Sequence, residues 1–187
     1  MQFTLKPLFF TLLGVVCMVW GGGVHAATKP PLLVPEGKVY VLSYQLEDTD
    51  NTFWGAVNDG ARAGRKVMVS HVAQIKGKGF LFPQTLGKNT WRKFVTYNLF
   101  ENAYSFGAHE ATARRTTRPE LVQAYVLGMV DEPFIERHKL QQGQTYTITI
   151  ALEVTEQTEE ESWLRFLPFT DLFKQKLTRS FTYVAPE

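Results

Sequence analysis

In the stretch QTYTITIALEV, Tyr146, Ile148, Ile150, Leu152 and Val154 alternate without a break against threonines, Ala151 and Glu153. A period of two places all five on one side of an extended strand and leaves the other side polar, as in an antiparallel sheet with one wet face. The same period recurs in KVYVLSYQLE, where Tyr40, Leu42, Tyr44 and Leu46 share a parity. It recurs again in RKVMVSHVAQIKGKG, with Val67, Val69, His71, Ala73 and Ile75 on one face and Gly77 and Gly79 as the stop. Thr90 to Thr117 is rich in β-formers, with Trp91, Val95, Tyr97 and Leu99 on one parity. It is too long for one ordinary strand, so it either turns at Glu101-Asn102 as a hairpin or continues through a bulge. Within it YNLFENAYSF carries four rings in ten residues, and a bend there would let Tyr97 and Phe100 pair across strands with Tyr104 and Phe106.

Two segments have the helical period instead. DTDNTFWGAVNDGARAG offers Asp50 or Asn51 as N-cap, sets Phe53 and Val57 four apart and Trp54 and Ala61 seven apart, and ends at Gly64. Thr117-Arg118-Pro119-Glu120 reads as a capping box that opens a helix to about Val130. That helix has little polar face, so it should be covered on more than one side or meet a partner. Gly128 inside it points to close backbone packing, and the Met129 neighbourhood to core before interface. After the acidic run Glu159 to Glu161 come Trp163, Phe166, Phe169 and Phe173, which either close the sheet or form an interaction patch, and then a last strand around Arg179 to Val184. The sum is an α+β chain: an antiparallel sheet of about five to seven strands with two helices packed on it, or else a two-sheet β-sandwich with helical crossovers.

The first residues read as an export signal. Met1 to Lys6 is a short basic head, Pro7 to Trp20 is apolar, and Val24-His25-Ala26 fits a cleavage site after Ala26. The apolar run is shorter than the ~20 residues a membrane span needs, and Gly21 to Gly23 follow at once. Cys17, the single cysteine, would leave with residues 1–26. Residues 27–187 then form one domain that folds without disulfides in an oxidising, periplasmic or cell-envelope setting. A chain of about 150 residues buries roughly 70% of its unfolded surface, which suffices for a core.

Charge is segregated. Residues 62 to 118 hold 11 Lys and Arg against Glu101 and Glu110, a balance of +9, while 119 to 161 hold 9 acids against Arg137 and Lys139, a balance of −7. Basic and acidic strands lying side by side, solvated and partly paired, account for this, and contact with anionic lipid would be weak. Arg92, Lys93, Arg114 and Arg115 could form the rim of an anion site. Nucleic acid is an unsuitable partner for an exported chain of net charge +2.

Catalytic signals are missing. His71, His109 and His138 are not spaced as metal ligands, and HEATA lacks the second histidine of a zinc-protease helix. GKGFLFPQTLGKNT has the wrong spacing for a phosphate loop, with Asn89 where a hydroxyl is needed, and no Gly-x-Ser-x-Gly elbow occurs. His71, on an apolar strand face, reads as a hydrogen-bonded core residue. Asp48 with Asp50, and Asp131 with Glu132, lie at element ends where turns and caps use carboxylates.

YNLFENAYSF, then TTRPELVQAYVLGMVDEPF, then HKLQQGQTYTITIALEV with Leu-x-x-Gly-x-x-Tyr leading into a strand, resemble the bacterial envelope family called domain of unknown function 4390. VYVLSYQLED and FWGAVNDGARAGRKVMVSH fit the same pattern. The resemblance implies an exported bacterial protein of unassigned role and transfers no catalytic residue and no cofactor. The expectation is a non-enzymatic module that binds an envelope protein partner through its apolar tail or a sheet edge. The alternative is a carrier or sensor of an apolar or anionic envelope ligand.

Overall fold

The computed structural model describes residues 30–79, 82–156 and 175–186. Among them, alternation becomes two antiparallel sheets. The smaller holds β1 (Leu32–Glu36), β2 (Val39–Gln45) and β7 (Gly128–Glu136) in that order. The larger runs β6 (Arg114–Thr116), β5 (Ala103–Gly107), β4 (Gln84–Asn98), β3 (Val67–Gly77), β8 (Thr145–Glu156) and β9 (Lys176–Val184). The fold is therefore α+β with antiparallel sheet, as the periods indicate. Its nine described strands exceed five to seven because β1, β6 and β7 have no clean alternation.

Strand parity decides what is buried. On β3, Val67, Val69, His71, Ala73 and Ile75 all face inward, and Val154, Leu152, Ile150 and Ile148, the β8 partners of the last four, lie on the same face. The smaller sheet packs on part of this inner face: Tyr44 of β2 reaches His71, and Phe134 of β7 lies against Trp91 of β4, ring centroids 6.3 Å apart. Helix α1 (Thr52–Arg62) covers another part through Phe53, Val57 and Ala61. A Cβ at its Gly60 would come within 2.8 Å of Val67, so the helix backbone itself approaches the sheet.

The α1 cap falls at one of the two positions read from the sequence, and the α2 cap does not. Asn51 occupies the α1 N-cap at φ 55 without a side-chain capping bond, its Oδ1 accepting instead from the Gln123 side-chain amide. Asp48 does the capping, its Oδ2 accepting from the Trp54 amide at 2.7 Å, while Asp50 accepts from Thr52. Gly64, at φ 78, ends the turn.

The capping box at Thr117 does not form. Pro119 forces the residue before it into extended backbone, so Arg118 itself becomes the N-cap of α2 (Pro119–Leu127) and Thr117 falls one position too early. Nor does α2 reach Val130. Its stripe Val122, Val126 and Leu127 is buried, Leu121 stays exposed, and the chain from Gly128 pairs with the free edge of β2 as β7. Two donors close the helix end. The Leu46 amide donates to the Leu127 carbonyl at 3.0 Å, and Lys93 donates to that of Tyr125. Gly128 is an extended residue, yet the close packing holds: a Cβ there would collide with the Gln45 side chain.

Residues 99–102 turn the chain, so the long segment is a hairpin, with Asn98 Oδ1 accepting from the amides of Phe100 and Glu101 and Asn102 at φ 49. Tyr97 and Tyr104 do face each other at 4.7 Å. Leu99 and Phe100 do not join them, because the turn lifts both into solvent.

Candidate functional site

β4 is fifteen residues long, and β3 pairs along most of it. On the opposite edge β5 pairs only from Phe94 to Asn98, since β5 ends at Gly107 opposite Phe94 and the chain turns away through a single 3-10 turn at Glu110–Thr112. Where β5 stops, a cleft of about 820 Å³ opens. β4 lines it with Trp91, Arg92 and Lys93, α2 with Ala124 and Tyr125, and β7 with Gly128, Met129, Val130 and Glu132. His109 and Arg114 close the far side.

Lys93 is the pivot. Its register partner is Val69, so the strand period points it inward, and it is only 7% exposed. A buried ammonium must find acceptors. It donates to the carbonyls of Tyr125, at 2.7 Å, and Gly128, and sits 4.3 Å from the Tyr125 ring centroid. The carbonyl-rich end of α2 thus receives a cation that suits its dipole, and the ring face adds a second attraction. Burial lowers the Lys93 ammonium to about 8, with Glu132 supporting the charge and Arg114 opposing it.

Arg114 lies over two rings, 5.2 Å from Phe106 and 4.8 Å from Tyr125, and those rings are 5.1 Å apart. The rings hold the guanidinium at the cleft wall, where Arg114 remains exposed. Arg92, next to Lys93 in the strand, projects from the opposite face of β4. It has no hydrogen bond or ion pair among the described residues. The cleft therefore straddles a strand edge, with cations on both faces and one half-buried acid, Glu132.

Three of the four rim residues chosen from sequence, Arg92, Lys93 and Arg114, come together here. Arg115 does not. It pairs with Glu101 at 3.2 Å on the exposed side of the β5–β6 pair. The other acid of the basic segment, Glu110, pairs with Lys66, so both are used inside that segment. Tyr125, Met129, His109 and Glu132 were not foreseen as site residues. One signal was present: Lys93 shares its parity with Trp91 and Val95, and a lysine on the apolar side of a strand has to be held by something. Trp163, Phe166, Phe169 and Phe173 lie outside the described residues.

His71 faces the core, fully buried, its Nδ1 2.7 Å from the Tyr44 hydroxyl and its Nε2 without a partner. Burial, aided by Lys93, drops it to about 3. The Tyr44 phenol moves the opposite way, raised by burial and by Glu132. Both stay neutral across the ordinary pH range.

Among the described residues no three His, Cys, Asp or Glu side chains gather as a metal site would, and no helix is long and apolar enough to cross a membrane. Comparison with protein-family models, curated proteins and solved structures finds no match.

Proposed function

We propose that this chain is a non-enzymatic binding module of the bacterial envelope, exported by a leader ending at Ala26, and that it binds an anionic group borne on a partly apolar partner in the cleft beside β4. The observation that carries this reading is the convergence of Arg92, Lys93 and Arg114 with Trp91, Tyr125 and Met129 around one open volume. Cations in a partly dewatered wall attract an anion more strongly than on open surface, and flat apolar walls accept its body. The arrangement suits holding rather than reacting: Lys93 already donates to two carbonyls, and among the described residues Glu132 is the only acid in the lining. Resemblance to the exported family of unassigned role supports the compartment.

Titration with 8-anilinonaphthalene-1-sulfonate, an apolar body with one anionic group, tests this. Saturable one-site binding is expected, and Arg114→Gln should weaken it about tenfold through loss of one charge-assisted hydrogen bond. Unsaturable binding, or equal affinity in the variant, would remove the cleft as the site.

A further inference from the structure

We infer that the free edge of β4 at Thr90–Lys93 is a strand-addition site for an extended acidic peptide of a protein partner, an inference that rests on the binding role proposed for the cleft.

A strand inside a sheet has both rows of backbone groups paired, and one at an edge presents a row of donors and acceptors that another chain can bind. β4 is both. Its Phe94–Asn98 stretch is interior, between β3 and β5, whereas among the described residues those before Phe94 pair with β3 alone. Lower down, the Asn89 side chain, which shares the inward parity of Trp91 and Lys93, donates its amide to the Pro133 carbonyl at 2.9 Å and ties β4 to β7 of the smaller sheet. A side-chain contact is not a ladder, so β7 adds no strand to this edge. Thr90 to Lys93 is the stretch between that tie and the first residue paired with β5. The cleft lies beside it, in the row β5 would occupy had it continued past Gly107.

Four residues of strand span ~13 Å. A peptide in that row would alternate. Its residue opposite Arg92 would share the outer face with that guanidinium, and those opposite Trp91 and Lys93 would enter the cleft toward Tyr125 and Met129. Cross-strand neighbours of opposite charge attract, and like charges repel. The edge therefore selects a segment with acids on one parity and apolar side chains on the other, and repels a basic strand. A flat apolar edge would collect any strand. The cations give this one a preference.

The test uses the full chain and an eight-residue blocked peptide alternating glutamate with valine. A lysine-for-glutamate counterpart and two versions N-methylated on alternate amides complete the set, with 8-anilinonaphthalene-1-sulfonate as reference. The acidic peptide should bind and displace the probe, and the basic one should do neither. Backbone amides of one parity face the protein edge, so one methylated version should lose about tenfold or more while the other stays within about threefold. Amide hydrogen exchange at Thr90–Lys93 should slow on binding. If both methylated versions match the parent, or if the probe binds and no peptide does, strand addition is wrong and the cleft reading stands. If neither probe nor peptide binds, both are wrong.

Discussion

His71 and Lys93 lie on adjacent strands, on the same inner face, two register positions apart, and they meet opposite fates. Across the ladder His71 is opposite Trp91, and Lys93 is opposite Val69. β3 has a strand on each side throughout His71's neighbourhood, and Tyr44 covers it from the smaller sheet. The imidazole is sealed, short, and left with one partner, so it can only be neutral. One strand over, the neighbour β5 stops opposite Phe94, one residue short of Lys93. There a four-carbon stem can carry its ammonium to the end of α2, and it keeps its charge because carbonyls and a ring face replace water. Whether a polar side chain on this face becomes core or site depends on whether the adjacent strand continues past it.

The most forceful way to break the comparison is His71→Ala. Removing the ring leaves a hole in a sealed layer and a Tyr44 hydroxyl without its partner, which together should cost about 3 to 5 kcal/mol in urea unfolding. Anion binding by the folded fraction should be unchanged. Normal melting together with lost binding would exchange the two roles.

Acid sharpens it next. His71 has a folded-state pKa near 3, depressed from 6.5, so between those values the unfolded chain holds the extra proton. Stability it contributes is full above about pH 6.5 and is lost as pH falls toward 3. Asp50 and Glu110, both lowered, also lose stability in acid, so the informative quantity is the difference from His71→Phe. Between pH 6.5 and 4 wild type should lose up to a few kcal/mol more than that variant. Parallel profiles would mean His71 is not held neutral.

For Lys93→Met the expected cost is smaller, about 1 to 3 kcal/mol, because two carbonyls lose a donor while the desolvation of a charge is relieved. Anion binding should weaken. Since Lys93 is lowered to about 8 from 10.5, wild type should gain stability relative to the variant as pH rises through that window, the unfolded chain binding more protons there. A flat difference would place the ammonium in water.

The smallest effect separates rim from bystander. Arg115→Ala removes an exposed pair with Glu101 and should change stability by no more than about 0.5 kcal/mol and leave anion affinity alone, in contrast to Arg114→Gln. Equal losses from both would mean a diffuse basic surface rather than a cleft.

Legibility followed contrast between faces. β3 and β8 stand out in the sequence because each has one wet and one dry side, and on β2 the burial of Tyr40, Leu42 and Tyr44 matches parity although Val41 on the other side is buried as well. β7 was hidden since its first residues, Gly128, Met129 and Val130, continue the apolar run of α2, and only pairing with β2 makes them a strand. The site was visible as residue types and not as a place: nothing local distinguishes Arg114, stacked on Tyr125, from Arg115, paired with Glu101.

The residue order alone dictated which side chains share a face, because a two-residue period is a property of the extended backbone itself. It also set the helix start at Pro119, since proline constrains the residue before it. Where β5 ends relative to β4, how β7 meets Asn89, and which cations consequently surround one opening were decided by tertiary packing. Those depend on the lengths of strands that meet from distant parts of the chain, and no local period encodes a length difference between them.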